Sequence, residues 1–283
     1  MNGKEKISKF IFFASSILSA GITIFILGFM VILVFPVFTK GLFFDMLTGP
    51  WSPDHGLFGI LPMIAGTICI AFLAIIISFP ISLGCACFIS LVNPGRFGKV
   101  VKRIVEFMTA VPTVIYGFTG IFLLVPIIRD LFHRGSGMCI LSAAIMLGLL
   151  ICPTMILFFI QSFSLVPKTY LNAVDALGGN MSQKFFFVVI PNSWKGIITG
   201  IILSFGRALG DTLISLMISG NSTAFPHSVM DSARTLTAHI ALVIAADFDS
   251  MEFKTIFLSG ICLYIMTGII VMLSRLSMGN RHF

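Results

Sequence analysis

Residues Met63 to Phe88 read MIAGTICIAFLAIIISFPISLGCACF, 26 positions with no charged side chain. As a helix this run extends about 39 Å at 1.5 Å per residue, more than the roughly 30 Å hydrocarbon core of a bilayer. Five further apolar blocks flank it: Phe10 to Phe38, Ile104 to Ile128, Met138 to Ile160, Ile197 to Ser219 and Thr255 to Ser274. In lipid the backbone must satisfy its own hydrogen bonds, so blocks of this length are helices rather than open strands. They lack the apolar–polar alternation that marks a membrane barrel strand. The chain is expected to be all-α, a polytopic membrane protein with six transmembrane helices.

Composition agrees. The 283 residues are 57% hydrophobic and 10% charged, with a mean hydropathy of +1.07. A soluble domain carries about a quarter charged residues. The net charge of +7 does not point to nucleic acid, because no basic cluster is interleaved with exposed aromatics. The cysteines Cys69, Cys85, Cys87, Cys139, Cys152 and Cys262 all fall in apolar blocks and form no C-x-x-C pair, so neither a disulfide framework nor a metal site is expected. They read as small buried packing residues. His55, His133, His227 and His239 lie on outward segments without metal-ligand spacing and read as loop histidines.

Lys and Arg set the orientation. The inner segments hold Lys4, Lys6, Lys9, Arg96, Lys99, Lys102, Arg103, Lys168, Lys184, Lys195, Arg275 and Arg281, against Lys40, Arg129, Arg134, Arg234 and Lys254 outside. Twelve against five places both termini in the cytoplasm. The first block exceeds the 7–15 residues of a signal h-region and reads as a retained span. Residues 1–62 form an N-terminal helix and outer loop, and 63–283 a core with an inner segment at about 161–196. The outer loop carries Gly49-Pro50-Trp51-Ser52-Pro53, a rigid turn with an interfacial Trp. A second outer stretch, Ser232 to Thr237, either dips back toward the membrane or forms a surface loop.

Two constellations carry chemistry. The inner segment contains Asn172-Ala173-Val174-Asp175-Ala176-Leu177-Gly178, then nine residues, then Val188-Val189-Ile190-Pro191. This predicts a short helix, a glycine break and a second short helix closed by a proline that opens the next span. Such a knob can sit in another protein's groove, or it can be an ordinary cytoplasmic loop. The fifth block contains Gly206-Arg207-Ala208-Leu209-Gly210-Asp211-Thr212. Arg207 lies 12 positions past Lys195, about 18 Å along a helix and near mid-membrane. Unpaired charge there costs at least about 2.5–3.5 kcal/mol and usually lines a water-filled path. Arg207 and Asp211 stand four apart, so on one helix they face each other as a gate or as an ion pair of structural value alone. Gly196, Gly200, Gly206 and Gly210 give GxxxG spacings that admit a partner helix or close packing within the subunit. Thr109, Thr113 and Tyr116 around the Pro112 kink can line a path or pack in the core.

The inner spacing resembles the EAA loop of ABC-importer permeases, with Asn172 at its Glu, Val174 at its second Ala, Val188 at its Ile and Ile190 at its Leu. Gly178 and Pro191 keep their spacing. Gly206 to Thr212 resembles the Gly-Arg-Ala-Leu-Gly-Glu-Thr segment of phosphate-specific (Pst) permeases, with Asp211 at the Glu position. Ala110 to Gly117, together with Trp51-Ser52-Pro53 and Phe58 to Pro62, is similar to segments of the PstC type.

The resemblance implies the MetI-like fold of type I ABC importers and a permease subunit of a phosphate importer in the bacterial inner membrane. Asn172, Ala173, Asp175, Gly178 and Pro191 would then belong to the coupling helix that docks on the ATPase. Arg207, Asp211, Thr113 and Tyr116 would line the substrate path, with Gly200, Gly206 and Gly210 packing helices. Implied partners are a PstA-like second permease, two PstB-like ATPases that use ATP and Mg, and an extracytoplasmic PstS-like binding protein. No cofactor is expected in this chain: it lacks a Gly-rich loop ending in Lys-Ser/Thr, an activated nucleophile and paired intramembrane aspartates, so it is not expected to be an enzyme. The alternatives are a permease for molybdate or sulfate and an ion-driven secondary transporter.

Overall fold

The computed structural model describes residues 3–39, 41–133 and 135–278. Lys40, Arg134 and Arg281, used above for topology, lie outside these, as do the side chains of Lys4 and Lys6. The chain runs through α1 (Gly3–Thr39), α2 (Phe43–Thr48), α3 (Leu61–Cys87), α4 (Arg96–Thr109), α5 (Thr113–Thr119), α6 (Val125–Phe132) and α7 (Ile140–Ser164). It continues through α8 (Lys168–Ala176), α9 (Met181–Gln183), α10 (Ile190–Leu209), α11 (Leu213–Ile218), α12 (Leu236–Val243) and α13 (Met251–Met278). Wider π-helical turns at Phe88–Val92, Gly120–Leu124 and Lys184–Val189 extend α3, join α5 to α6 and join α9 to α10. Two short strands, β1 (Trp51–Ser52) and β2 (Leu57–Phe58), pair antiparallel in the outer loop.

Six helical stretches among the described residues are long and apolar enough to cross a bilayer: Ser8–Thr39, Leu61–Val92, Thr113–Phe132, Ile140–Ser164, Met181–Leu209 and Met251–Arg275. Two depart from the sequence expectation. The third block was expected from Ile104 to Ile128 with a kink at Pro112, but the helix breaks there. Pro112 is extended at φ −59°, ψ 141°, a conformation that cannot continue a helix, and the span starts at Thr113. Residues Ile104 to Thr109 instead end α4, which turns Gly98 and Val105 inward and leaves Phe97, Val100, Ile104 and Phe107 exposed. The fifth block was expected to run unbroken to Ser219, but α10 stops at Leu209 and the chain restarts as α11.

The axis of the bundle is α7, packed against α3 and α10. Leu147 and Ile151 of α7 meet Leu209, Ile214 and Ile218 in a central cluster, and Met155, Phe159 and Phe163 meet Phe185 and Ile197 in an inner one. Pro153 is tolerated within α7 because its neighbours shield the freed backbone. An outer cluster joins Val34 and Val37 of α1 to Met46, Met63, Leu236 and Leu258. Elsewhere α1 is exposed, carrying Phe10, Phe25, Ile32 and Phe35 where lipid would cover them. Among the cysteines, Cys139 and Cys152 are buried, but Cys69 is exposed, because it points off the N-terminal half of α3.

The stretch from Ser232 to Thr237 is not a surface loop. Ala233, Thr235, Leu236 and Thr237 are buried, and α12 packs on α3, α11 and α13. A Cβ on Gly66 would come within 2.6 Å of the Arg234 carbonyl, so α3 admits this segment only with glycine there. His239 is likewise no loop histidine. It is fully buried, edge-on to the Trp51 ring with centroids 4.5 Å apart, and its Nε2 lies 2.9 Å from Thr255 Oγ1.

Candidate functional site

The break in the fifth span frees backbone groups in the bundle interior, and each needs a partner. Gly210 N and Asp211 N donate to Gly206 O and Ala208 O at 3.3 Å, closing α10 with a tight turn. Asp211 then opens α11: its Oδ2 accepts from Ile214 N at 2.9 Å, the geometry of an N-cap. The Asp211 carbonyl accepts from Thr237 Oγ1 of α12 at 2.8 Å. Thr237 thereby spends its only proton, so Thr235 Oγ1, 3.0 Å away, is the donor to it. Thr235 Oγ1 in turn accepts from Ala238 N at 3.1 Å and caps α12. One directed chain of hydroxyls ties the outer segment to the break.

Arg207 projects from the last turn of α10 onto an exposed face of this subunit. Its Nη1 donates to Thr154 Oγ1 of α7 at 2.8 Å. Arg207 and Asp211 do not form an ion pair among the described residues. The helix break explains this, since their four-residue spacing no longer puts them on one face and Asp211 is committed to the α11 cap. Both Asp211 and Tyr116 still lie within electrostatic reach of the guanidinium. Tyr116 is half-buried, with its hydroxyl 3.4 Å from Met108 O across the Pro112 break. Thr113 stands half-buried in the first turn of α5, and no hydrogen bond joins it to the Arg207 group among the described residues.

Sequence reasoning missed Thr154, whose signal was a lone hydroxyl beside Pro153 in an apolar run. It also missed Arg234, half-buried in the outer segment, whose Nε donates to Asn221 O at 3.2 Å and whose burial pulls its pKa below the usual guanidinium value.

The glycines divide. Gly200 faces α7, where a Cβ would stand 3.0 Å from Phe158 Cβ and the Phe159 ring, and Gly196 abuts Ser162. Gly206 faces α13 at ordinary contact distance from Ile270. Gly210 is no packing residue within this chain, since it caps α10 and a Cβ there would meet nothing nearer than the Gly206 carbonyl at 3.7 Å.

The inner knob has the expected first half. Asn172, Ala173 and Asp175 lie exposed on α8. Gly178 turns left-handed at φ +74°, and Gly179 N donates back to Val174 O at 2.9 Å. Asn180 and Gln183 then form a reciprocal capping box. The second half differs from expectation, because it is no separate short helix: Met181–Leu209 is one continuous rod. Pro191 sits in the first turn of α10 beyond the π-helical turn, and Asn192 Nδ2 donates to Val188 O at 2.6 Å. Asp175 pairs with Lys184 and binds α8 to that rod.

The family model described as "Binding-protein-dependent transport system inner membrane component" matches residues 78–279. The chain belongs to this family. This transport component is 30% identical over 228 residues to the probable ABC transporter permease protein YqgH of Bacillus subtilis (strain 168), covering 80% of this chain and 74% of that protein. It is 28% identical over 248 residues to the phosphate transport system permease protein PstC of Pasteurella multocida (strain Pm70), covering 80% and 76%. Against the inward-facing MetNI methionine ABC transporter the TM-score is 0.62 at 15% identity, covering 82% of this chain and all of that one. That likeness establishes the MetI-type permease fold.

Proposed function

We propose that this chain is the PstC-type permease subunit of an ATP-driven importer of inorganic phosphate. The observation that carries the reading is the exposed guanidinium of Arg207 at a break in a membrane span, in a chain whose relatives include phosphate permeases. Arg presents a planar, permanently charged fork that donates two parallel hydrogen bonds to an oxyanion. Thr154 holds it from behind, and Asp211, engaged with the α11 backbone, leaves it open to an anion in this state.

The remaining parts are supplied by partners: a PstA-like permease across the Arg207 face, two PstB-like ATPases that bind ATP and Mg, and a PstS-like binding protein outside. Both termini and the knob face the cytoplasm on this reading, with Tyr170, Leu177 and Met181 exposed there for docking. ATP-driven closure of the ATPases moves the knob and turns the path outward, and hydrolysis resets it.

The test is uptake of radiolabelled phosphate by the reconstituted complex, with Arg207→Ala and Arg207→Lys at matched abundance. Loss in Arg207→Ala with partial retention in Arg207→Lys is expected. Normal uptake in Arg207→Ala removes the guanidinium from the path. Molybdate or sulfate outcompeting phosphate would move the assignment to another oxyanion.

A further inference from the structure

Behind the knob a cavity of about 350 Å3 opens between the inner ends of α3, α4 and α7 and the start of α8. Lys99, Lys102 and Lys168 stand around it, Ile89 and Phe163 belong to its apolar wall, and no carboxylate lines it. Neither Lys99 nor Lys168 has an acidic partner among the described residues. Lys102 forms a loose, half-exposed ion pair with Glu106, Nζ to Oε1 3.7 Å, longer than a hydrogen bond. Ser90 also lines the cavity, with an Oγ shielded from solvent and lacking a hydrogen-bond partner among the described residues.

Lys99 and Lys168, without acidic partners among the described residues, and the loosely paired Lys102 leave a net positive charge around an apolar-walled space, which a bound anion offsets. Nine N–H donors and a hydroxyl suit a group with several oxygens and at least one negative charge. We propose that this cavity is a binding site for a phosphoryl group that ties the inner ends of α3, α4 and α7 to the coupling helix α8. Lys168 is the first residue of α8, so a filled site holds the knob in the position seen here. The spans of α3 and α7 end at the cavity, at headgroup level, so the phosphoryl group belongs either to an anionic lipid of the inner leaflet or to free phosphate in the cytosol. Only that choice of compartment rests on the orientation proposed above.

The experiment is binding to the purified full chain in detergent, which needs no transport. Labelled orthophosphate is followed by equilibrium dialysis, and phosphatidylglycerol against phosphatidylcholine by native mass spectrometry. All variants are made in an Arg207→Ala background, which takes the path out of the readout: Lys99→Gln/Lys102→Gln/Lys168→Gln, which changes exposed or half-exposed side chains, Ser90→Val, and Arg129→Gln as the control. Each lost charge-assisted bond is expected to weaken binding about tenfold, so the triple variant loses binding altogether in the accessible range. Ser90→Val weakens it several-fold with the charges intact, and Arg129→Gln, an exposed side chain outside both the cavity and the path, leaves it unchanged. Saturable orthophosphate binding assigns the free anion, and selective phosphatidylglycerol binding assigns the lipid. Binding of neither, or binding that survives in the triple variant, overturns the proposal. Binding in the wild-type chain that vanishes in the Arg207→Ala background alone also overturns it, because that places the anion in the path instead.

Discussion

The sharpest prediction separates the two jobs available to Asp211. Its side chain is 8% exposed, its Oδ2 accepts from Ile214 N at 2.9 Å, and Ser215 N also faces it. Asp211→Ala leaves those buried donors without a partner and removes the cap of α11, a loss of about 1–3 kcal/mol. Asp211→Asn keeps an acceptor oxygen in the same place. Asn caps nearly as well as Asp, so that variant loses less than about 1 kcal/mol. The assay is thermal unfolding of the purified chain in detergent, followed by tryptophan fluorescence, beside phosphate uptake by the complex. Asp211→Ala is expected to melt well below wild type and Asp211→Asn close to it, with uptake in Asp211→Asn reporting the charge alone. If Asp211→Asn melts as low as Asp211→Ala, the charge rather than the cap stabilises the break. If neither shifts, the capping argument is wrong.

Other expectations follow from the same geometry. Gly200→Ala, whose new methyl must displace Phe158 and Phe159, destabilises by about 1–3 kcal/mol, while Gly210→Ala, with open space around it, shifts melting by less than about 1 kcal/mol in either direction. His239 is held neutral by burial, which lowers its pKa from 6.5 to about 4. The unfolded chain therefore takes up a proton first as pH falls through that interval, and stability drops by about 3 kcal/mol from pH 6.5 to 4. Melting curves of His239→Gln across that range should lose most of this slope. Lys184→Gln removes the Asp175 pair, which is half exposed and so contributes under about 1 kcal/mol to stability. Its expected signature is a fall in phosphate-coupled ATP hydrolysis at nearly unchanged melting temperature, and an unchanged coupling ratio would dismiss the pair as a mechanical tie.

What could be read in advance follows the range of the forces involved. Spans one, two, four and six were legible because lipid imposes a long apolar run wherever a helix crosses, and Gly178 announced its turn because a left-handed residue favours glycine. The interruption at Gly210 to Thr212 was not. Gly210, Asp211 and Thr212 are stop and cap residues, but they sit inside a long apolar block, and the break is stabilised by Thr237, 26 residues away. His239 looked like a loop residue for the same reason, since its burial is conferred by Trp51 and Thr255 from distant elements. Arg207 stood out in the sequence as a charge inside an apolar block, but its partner Thr154 lies 53 positions back and carries no signal beyond its hydroxyl. Pairings across the bundle are properties of packing, and local patterns do not encode them.

The continuity of Met181–Leu209 gives the proposed mechanism its mechanical content. Twenty-nine residues of helix extend about 43 Å, from the capping box of the knob to the turn that carries Arg207. A separate second helix, as expected from the sequence, would have absorbed a push in its linker. A continuous rod cannot, so displacement at α8, tied to it through Asp175 and Lys184, reaches Arg207 as tilt or translation. The π-helical turn at Lys184–Val189 lies near the rod's N-terminal end, before the close contact of Gly196 and Gly200 with α7. In the proposed mechanism that contact would be the fulcrum. On this arrangement Arg207 moves against Thr154 on α7, which stays fixed in the core, so the 2.8 Å hydrogen bond between them is the contact that a power stroke must break first. Replacing Thr154 by Val therefore leaves the rod and the docking knob intact while removing the rest position of the guanidinium. Uptake should fall with nucleotide hydrolysis still running, whereas joint loss of both would mean that Thr154 serves the fold rather than the stroke.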